Sequence, residues 1–220
     1  MGSNFLIGTK VLEERHSKFN GDIKVVRSLG FGTYIQVEGV TQSGGVVYEV
    51  WRSTLRKVKS QKLKVKSCLV LGLGGGSAAK LVRKYWPNCK ITGVDIDPIM
   101  VELGTKYLSL DTSKTKIIIK DVLSFCELWT MNYQRSWPSF AYELIIVDLY
   151  VGDRLPKKFE SGRFRRLVYG LLTDSGIAVF NRLYFGDKRP EAVRFGQKLQ
   201  KYFSKVDAFY PEANIMYICS

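Results

Sequence analysis

Cys68-Leu-Val-Leu-Gly72-Leu-Gly74-Gly-Gly76-Ser77, with Lys90-Ile-Thr-Gly-Val-Asp95 shortly after it, is the stretch that decides the fold. Four apolar residues run straight into glycines at alternate positions, a helix-like segment Ser77–Trp86 follows, and Pro87-Asn88 stops it. The pattern predicts a buried strand, a glycine loop, a helix and a second strand with an acid at its carboxyl end. A residue without Cβ lets backbone approach a ligand closely, and the helix behind the loop presents N–H groups that no preceding turn satisfies. An acid about 20 residues on can accept both hydroxyls of a ribose. Gly72, Gly74, Gly75, Gly76 and Asp95, with its neighbour Ile96, are therefore expected to bind an adenosine-containing ligand.

Beyond Asp95, strand and helix patterns alternate. Pro98–Leu108 reads as a helix with Asp97 as N-cap and Pro98 at its first position. Thr115–Lys120 reads as a strand, Asp121 to about Trp129 as a helix, and Glu143–Asp148 as a strand after a polar Gln134–Ser139 loop. A long loop with Gly152 and Pro156 leads to helix Glu160–Leu172, strand Gly176–Asn181 and helix Pro190–Phe203. Strands Lys205–Tyr210 and Asn214–Cys219 close the chain, joined too tightly for anything but an antiparallel hairpin. Parallel strands need helical crossovers, so the alternation predicts an α/β, Rossmann-like doubly wound sheet. The antiparallel C-terminal hairpin marks it as the methyltransferase-type version.

The first fifty residues instead alternate in the β manner. Asp22–Arg27, Thr33–Glu38 and Gly45–Trp51 read as short strands, with Asn20-Gly21 and Ser43-Gly44-Gly45 as hairpin turns. The expected organisation is a small N-terminal antiparallel β unit over residues 1–52, a basic connector helix over 53–66 and the nucleoside-binding domain over 67–220.

Ligands of open α/β sheets sit outside the carboxyl ends of the strands. Asp95, Asp121 and Asp148 each close a strand-like run, so all three are placed on one edge. Asp95 would take ribose, Asp121 the exocyclic amine of adenine with Val122 against the ring, and Asp148 the reactive end. A carboxylate there can orient or deprotonate an attacking amine, or attract a sulfonium cation. His16, the single histidine, sits in a polar hairpin region and reads as a surface residue; with one histidine there is no His-rich metal site, and no metal is expected. Walker and Gly-x-Ser-x-Gly motifs are absent.

A length of 220 residues with 45% hydrophobic content suits a domain with a full core. Four scattered cysteines without a CxxC pair read as reduced thiols in a cytoplasmic protein, and no apolar run or leader pattern points to a membrane. The net charge of +14 is concentrated in Arg52–Lys66, Arg154–Lys158, Arg163–Arg166 and Lys198–Lys205. It admits an acidic partner or nucleic acid, although no nucleic-acid-binding signature accompanies it and a solvated basic surface is the plainer reading.

Leu69–Ser77, Val94-Asp-Ile-Asp-Pro98, Lys120-Asp-Val122 and Ile145-Ile-Val-Asp148 together resemble the spermidine synthase (polyamine aminopropyltransferase) family. His16–Ile23, Val37–Gln42 and Tyr48-Glu49 resemble its N-terminal elements. The resemblance implies a transferase using S-adenosylmethionine or its decarboxylated form, with Asp148 as the acid that activates an amine. Gln42 would face the nucleoside ligand, Asn20, Tyr48, Glu49, Tyr150 and Asp153 the small-molecule acceptor, and a homodimer is a common assembly in the family. Departures from the family pattern favour a different transfer. The acid of its Gly-Gly-Gly-Asp-Gly loop is Gly75 here, and its Asp-Ser-Ser-Asp-Pro becomes Asp148-Leu-Tyr-Val-Gly-Asp153. Burying a dicationic diamine without carboxylates costs several kcal/mol per charge. Loss of the loop acid also removes the repulsion of a ligand carboxylate, so the sequence leans to methyl or alkyl transfer from intact S-adenosylmethionine. Aminopropyl transfer remains the alternative if Asp153, Glu49 or Glu13 and Glu14 supply the missing charge; a catalytically inactive ligand- or partner-binding member is the other.

Overall fold

The computed structural model describes residues 8–61, 64–133 and 141–220, the side chains of 131–133 excepted. The Gln134–Ser139 loop and the end of the expected connector helix at Lys62 lie outside the described residues. Strands β1 (Thr9–Ser17), β2 (Gly21–Ser28), β3 (Gly32–Val37) and β4 (Val40–Gly44) form an antiparallel meander. Helix α1 (Gly45–Ser60) follows, and then the alternation β5 (Ser67–Leu71), α2 (Ser77–Tyr85), β6 (Lys90–Asp95), α3 (Pro98–Leu108), β7 (Thr115–Ile119), α4 (Val122–Tyr133) and β8 (Tyr142–Val147). A 3₁₀ turn (Lys157–Glu160) precedes α5 (Gly162–Gly170), β9 (Leu172–Leu183), α6 (Lys188–Leu199), β10 (Val206–Phe209) and β11 (Asn214–Cys219).

These strands make a seven-stranded sheet in the order β7-β6-β5-β8-β9-β11-β10. The first five are parallel, while β11 runs antiparallel to β9 and β10 antiparallel to β11. Strand order reverses beside β5, which pairs with both β6 and β8, and a ligand crevice opens at such a point. The period of two along β5 divides the core. Leu69 and Leu71 pack towards α4, α5 and α6 with Phe125, Phe164, Phe180 and Phe195, and Cys68 and Val70 pack towards α1 and α2 with Trp51, Leu55, Leu81 and Val82. A third cluster joins the meander to α3 through Ile23, Val25, Ile35, Val37, Met100 and Leu103. On the rim of that seam Glu13 accepts from Lys106 and Tyr107 (both 2.7 Å), and these bonds hold its carboxyl down at about 2.

The largest departure from expectation lies in the N-terminal unit, and β9 also begins at Leu172, ahead of the expected Gly176. Gly45–Trp51 is the first half of α1, not a strand, and Ser43-Gly44-Gly45 is a strand-to-helix turn, not a hairpin. Val-Val-Tyr-Glu-Val-Trp alternates well enough to suit a strand, but burial follows the helical spacing Val50, Trp51, Thr54, Leu55, Val58. The tertiary environment selected the helix because that face covers α2 and the large sheet. Strands β1 and β4 are additional; β1 exposes Lys10, Val11, Glu14 and His16 and is bulged between Val11 and Glu13, which breaks its alternation.

All four cysteines are buried and unpaired. No described helix is long and apolar enough to cross a membrane.

Candidate active site

The turn after β5 is built around Gly72, whose φ of +86° and close approach to the Asp148 backbone both require an absent Cβ. Its N–H and that of Leu73 donate to the Val94 carbonyl (3.0 and 3.1 Å), while Asp148 N–H donates to Leu71 (2.9 Å). The carboxyl ends of β5, β6 and β8 are thereby locked together. Gly72→Ala is expected to destabilise the fold by about 2–5 kcal/mol, the sum of left-handed strain and overlap with that backbone. Urea unfolding measures it, and a loss below ~1 kcal/mol would contradict this packing.

A cavity opens over this turn. It is lined by Gly72, Gly74, Asp95, Ile96, Asp121, Val122, Asp148 and Tyr150, by Asn20 and Gln42 from the meander, and by apolar Phe19, Val47, Trp51, Met100, Leu149 and Phe159. Asp95 is buried, and its oxygens accept from Gly74 N–H (2.6 Å) and Asp97 N–H (2.9 Å). Burial pushes its pKa up against those two donors. Asp97 caps α3 through Ile99 N–H (2.9 Å) and accepts from Asn20 Nδ2 (2.6 Å), so Asn20 braces the acid loop as well as facing the cavity. Gln42 donates Nε2 to the Gly152 carbonyl (2.9 Å) and ties the loop after β8 to the meander.

Asp121 has two partners already. One oxygen caps α4 through Ser124 N–H (3.1 Å) and the other pairs with Lys158 from the 3₁₀ turn. Burial acts to raise its pKa, but the Lys158 hydrogen bond leads the opposing contacts and the net shift is downward. Asp148 sits between donors, Trp51 Nε1 at 2.7 Å on Oδ2 and Asn181 Nδ2 at 2.8 Å on Oδ1. Asn181 is oriented in turn by Asn214 Nδ2 (2.8 Å). Desolvation raises the Asp148 pKa, with Asn181 and Trp51 opposing it. Neither neighbour offers an acceptor to a carboxyl proton, so the pair favours the ionised group.

Several expected site residues lie elsewhere. Gly75 and Gly76 do not line the cavity: Gly75 N–H donates to Ser43 Oγ (2.8 Å) and Gly76 N–H to the Leu73 carbonyl (2.9 Å). A Cβ on Gly75 would meet Leu108, Ile35 and Ser43 at 2.8–2.9 Å. Tyr48 and Glu49 line a separate depression with Phe31 and Lys80, because α1 turns them away from the face that carries Val47 and Trp51. Asp153 pairs with Lys188 (3.0 Å) at another pocket, Glu49 pairs with Arg52, and Glu14 with Lys24 (3.0 Å). His16 is exposed beside Asp22, with 2.7 Å between Nδ1 and Oδ1.

Trp51, Lys158, Asn181 and Ser43 join the expected residues at the site. A helical reading of Val47 and Trp51, four residues apart, was the available signal for the first. The other three are brought in by the crossovers and had none.

The cavity thus combines a glycine turn that bars side chains, acids at the carboxyl ends of β6, β7 and β8, and apolar walls. Among the described residues no cluster of metal-binding groups occurs. Helix α2 carries no side-chain cap, and Ser77 and Ala78 of its first turn lie at the cavity wall.

No family model matches the chain. It is 28% identical over 200 residues to a polyamine aminopropyltransferase of Clostridioides difficile, covering 88% of this chain and 68% of that protein. It is also 28% identical over 153 residues to an eEF1A lysine and N-terminal methyltransferase homolog of Drosophila melanogaster, covering 68% of this chain and 22% of the relative. The chain thus spans about a fifth of the length of that methyltransferase relative. A probable spermidine synthase from Corynebacterium glutamicum superposes with a TM-score of 0.74 at 19% identity, over 96% of this chain and 79% of that one. Human methyltransferase-like protein 13 in complex with SAH superposes with a TM-score of 0.63 at 24% identity, over 79% of this chain and 80% of that one. The chain therefore has the Rossmann-like fold of S-adenosylmethionine-dependent methyltransferases and spermidine synthases, and its relatives are transferases of these two kinds.

Proposed function

We propose that the chain is a transferase that binds intact S-adenosylmethionine and passes its methyl group to an acceptor nucleophile, with an amine the best fit. One observation carries the choice. Among the described residues, Asp95, Asp121 and Asp148 are the carboxylates at the cavity, and Asp148 alone is left for an acceptor once the other two are assigned to the nucleoside. The residues that could have restored a diamine site are engaged elsewhere: Asp153 with Lys188, Glu49 with Arg52, Glu13 with Lys106 and Glu14 with Lys24. A single carboxylate matches one amine and not a dication.

Bound S-adenosylmethionine supplies an electrophilic methyl group on a sulfonium centre. In this reading Asp95 accepts the ribose hydroxyls, Ile96 and Val122 pack against the base, and the uncapped first turn of α2 receives the ligand carboxylate. Asp121 keeps Lys158 at the adenine side. Asp148, aimed by Trp51 and Asn181, accepts an N–H of the acceptor and leaves the nitrogen lone pair free to attack. Asp95→Ala is expected to weaken S-adenosylmethionine binding by about 30- to 150-fold, the equivalent of about 2–3 kcal/mol for hydrogen bonds to a charged group. Unchanged affinity in a calorimetric titration would remove Asp95 from the ribose.

Transfer is tested by incubating the chain with methyl-labelled S-adenosylmethionine and three acceptors: a peptide with a free N-terminus and one lysine, putrescine, and a neutral nucleophile. Label on the peptide supports the proposal. Aminopropyl transfer is the second reading, favoured by the alignment with the clostridial relative over most of the chain. Reaction of putrescine with decarboxylated S-adenosylmethionine and none of the peptide with the intact form would select it.

A further inference from the structure

Beyond β8, Arg154 pairs with Glu38, Lys158 with Asp121, Arg163 with Glu127 and Lys205 with Asp207, while Arg166, Arg189, Arg194, Lys198 and Lys201 are exposed with no carboxylate partner among the described residues. A second unpaired cluster follows the middle of α1. Arg56, Lys57, Lys59, Lys64 and Lys66 are exposed, as are Lys84 and Lys90, and none of them has a carboxylate partner among the described residues. Glu143 lies at this edge, but its carboxylate accepts from the backbone N–H groups of Lys66 and Ser67.

Topology brings these side chains together. Lys59 ends α1, Lys64 and Lys66 lead into β5, and Lys90 opens β6, where its N–H donates to the Lys66 carbonyl (2.8 Å). This is the amino end of the parallel sheet, the end opposite the cavity. A shallow groove there is lined by Lys59, Lys64, Lys66, Tyr85, Trp86 and Pro87. Lys59 Nζ lies over the half-buried Tyr85 ring, 5.4 Å from its centre, so an aromatic face lies directly beneath one of the ammonium groups and is uncovered when that lysine turns to a phosphate.

We infer that this groove binds single-stranded nucleic acid, with Lys59, Lys64, Lys66 and Lys90 on successive phosphates and Tyr85 offering a stacking surface. The exposed lysines and Arg56 stand against one acid, Glu143, which is held by backbone N–H groups; they leave a net positive edge that fits a polyanion, and the ring among the lysines favours a chain of bases over an acidic polypeptide. The site is independent of the transfer reaction.

The test titrates a fluorescein-labelled twelve-residue oligouridylate with the full chain and reads anisotropy at 50 and 200 mM KCl. Three to four phosphate contacts predict about a 20- to 50-fold weakening over that fourfold rise in salt. Lys59→Gln/Lys64→Gln/Lys66→Gln is expected to abolish binding while leaving S-adenosylmethionine affinity unchanged and the chain folded. Tyr85→Leu is expected to weaken it about fivefold or more. Binding that survives the triple substitution, or is insensitive to salt, overturns the inference. So does a labelled polyglutamate of equal length that binds as tightly as the oligonucleotide, which would transfer the groove to acidic proteins.

Discussion

Asp148→Asn is expected to lower kcat by about 10²–10⁴-fold while S-adenosylmethionine affinity changes little. Both partners of the native carboxylate are donors, Trp51 Nε1 and Asn181 Nδ2, so an amide nitrogen placed there faces a donor on either side. Asn181 cannot simply turn over to accept, because its own oxygen holds Asn214 Nδ2. The variant therefore loses the acceptor of the substrate proton and gains a buried donor conflict of about 1–3 kcal/mol. The pH profile gives a second readout. Burial raises the Asp148 pKa above its ordinary value of 3.8, and the ionised form is the active one, so kcat rises with pH along a limb displaced upward from the usual aspartate range. Trp51→Phe removes one of the donors that oppose the shift and should move that limb to still higher pH. A variant Asp148→Asn with the full rate would exclude this residue from the chemistry.

Gly75→Asp, which restores the acid that the resembling aminopropyltransferases carry, is expected to damage the fold and not to create a diamine site. The missing Cβ leaves room for Leu108 Cδ1, Ile35 Cδ1 and Ser43 Cβ, which a side chain would meet at 2.8–2.9 Å. Overpacking costs about 1–3 kcal/mol, and a carboxylate buried among those groups without a cation costs several more. A loss of about 4 kcal/mol corresponds to a fall of roughly 8–16 °C in Tm for a chain of this size. Calorimetry should show that fall with no gain of activity on putrescine. A stable variant that transfers an aminopropyl group would mean that the space exists and that Gly75 alone had closed it.

Much of this was legible in the sequence because its signals are local. Asp97 and Pro98 announce the start of α3, the glycines announce the turn after β5, and the tight Pro211-Glu-Ala connection dictates the closing hairpin. Three strand-end acids converge because one topology places every parallel carboxyl end on the same edge. What stayed hidden depends on distant partners. Gly45–Trp51 alternates like a strand, and only its burial against α2 and the sheet makes it helical. That one reversal moved Trp51 onto Asp148 and carried Tyr48 and Glu49 away from the cavity. The Asp121–Lys158 pair joins residues 37 positions apart, and the Asp148–Asn181 pair residues 33 apart, neither with a local pattern to mark it.

Whether the cavity prefers intact S-adenosylmethionine, as proposed, is read by calorimetric titration of the chain with S-adenosylmethionine, its decarboxylated form and 5′-methylthioadenosine, side by side. Tighter binding of the intact form, by about tenfold or more for a carboxylate received at the α2 N-terminus, is the predicted result. Tighter binding of the decarboxylated form would contradict it.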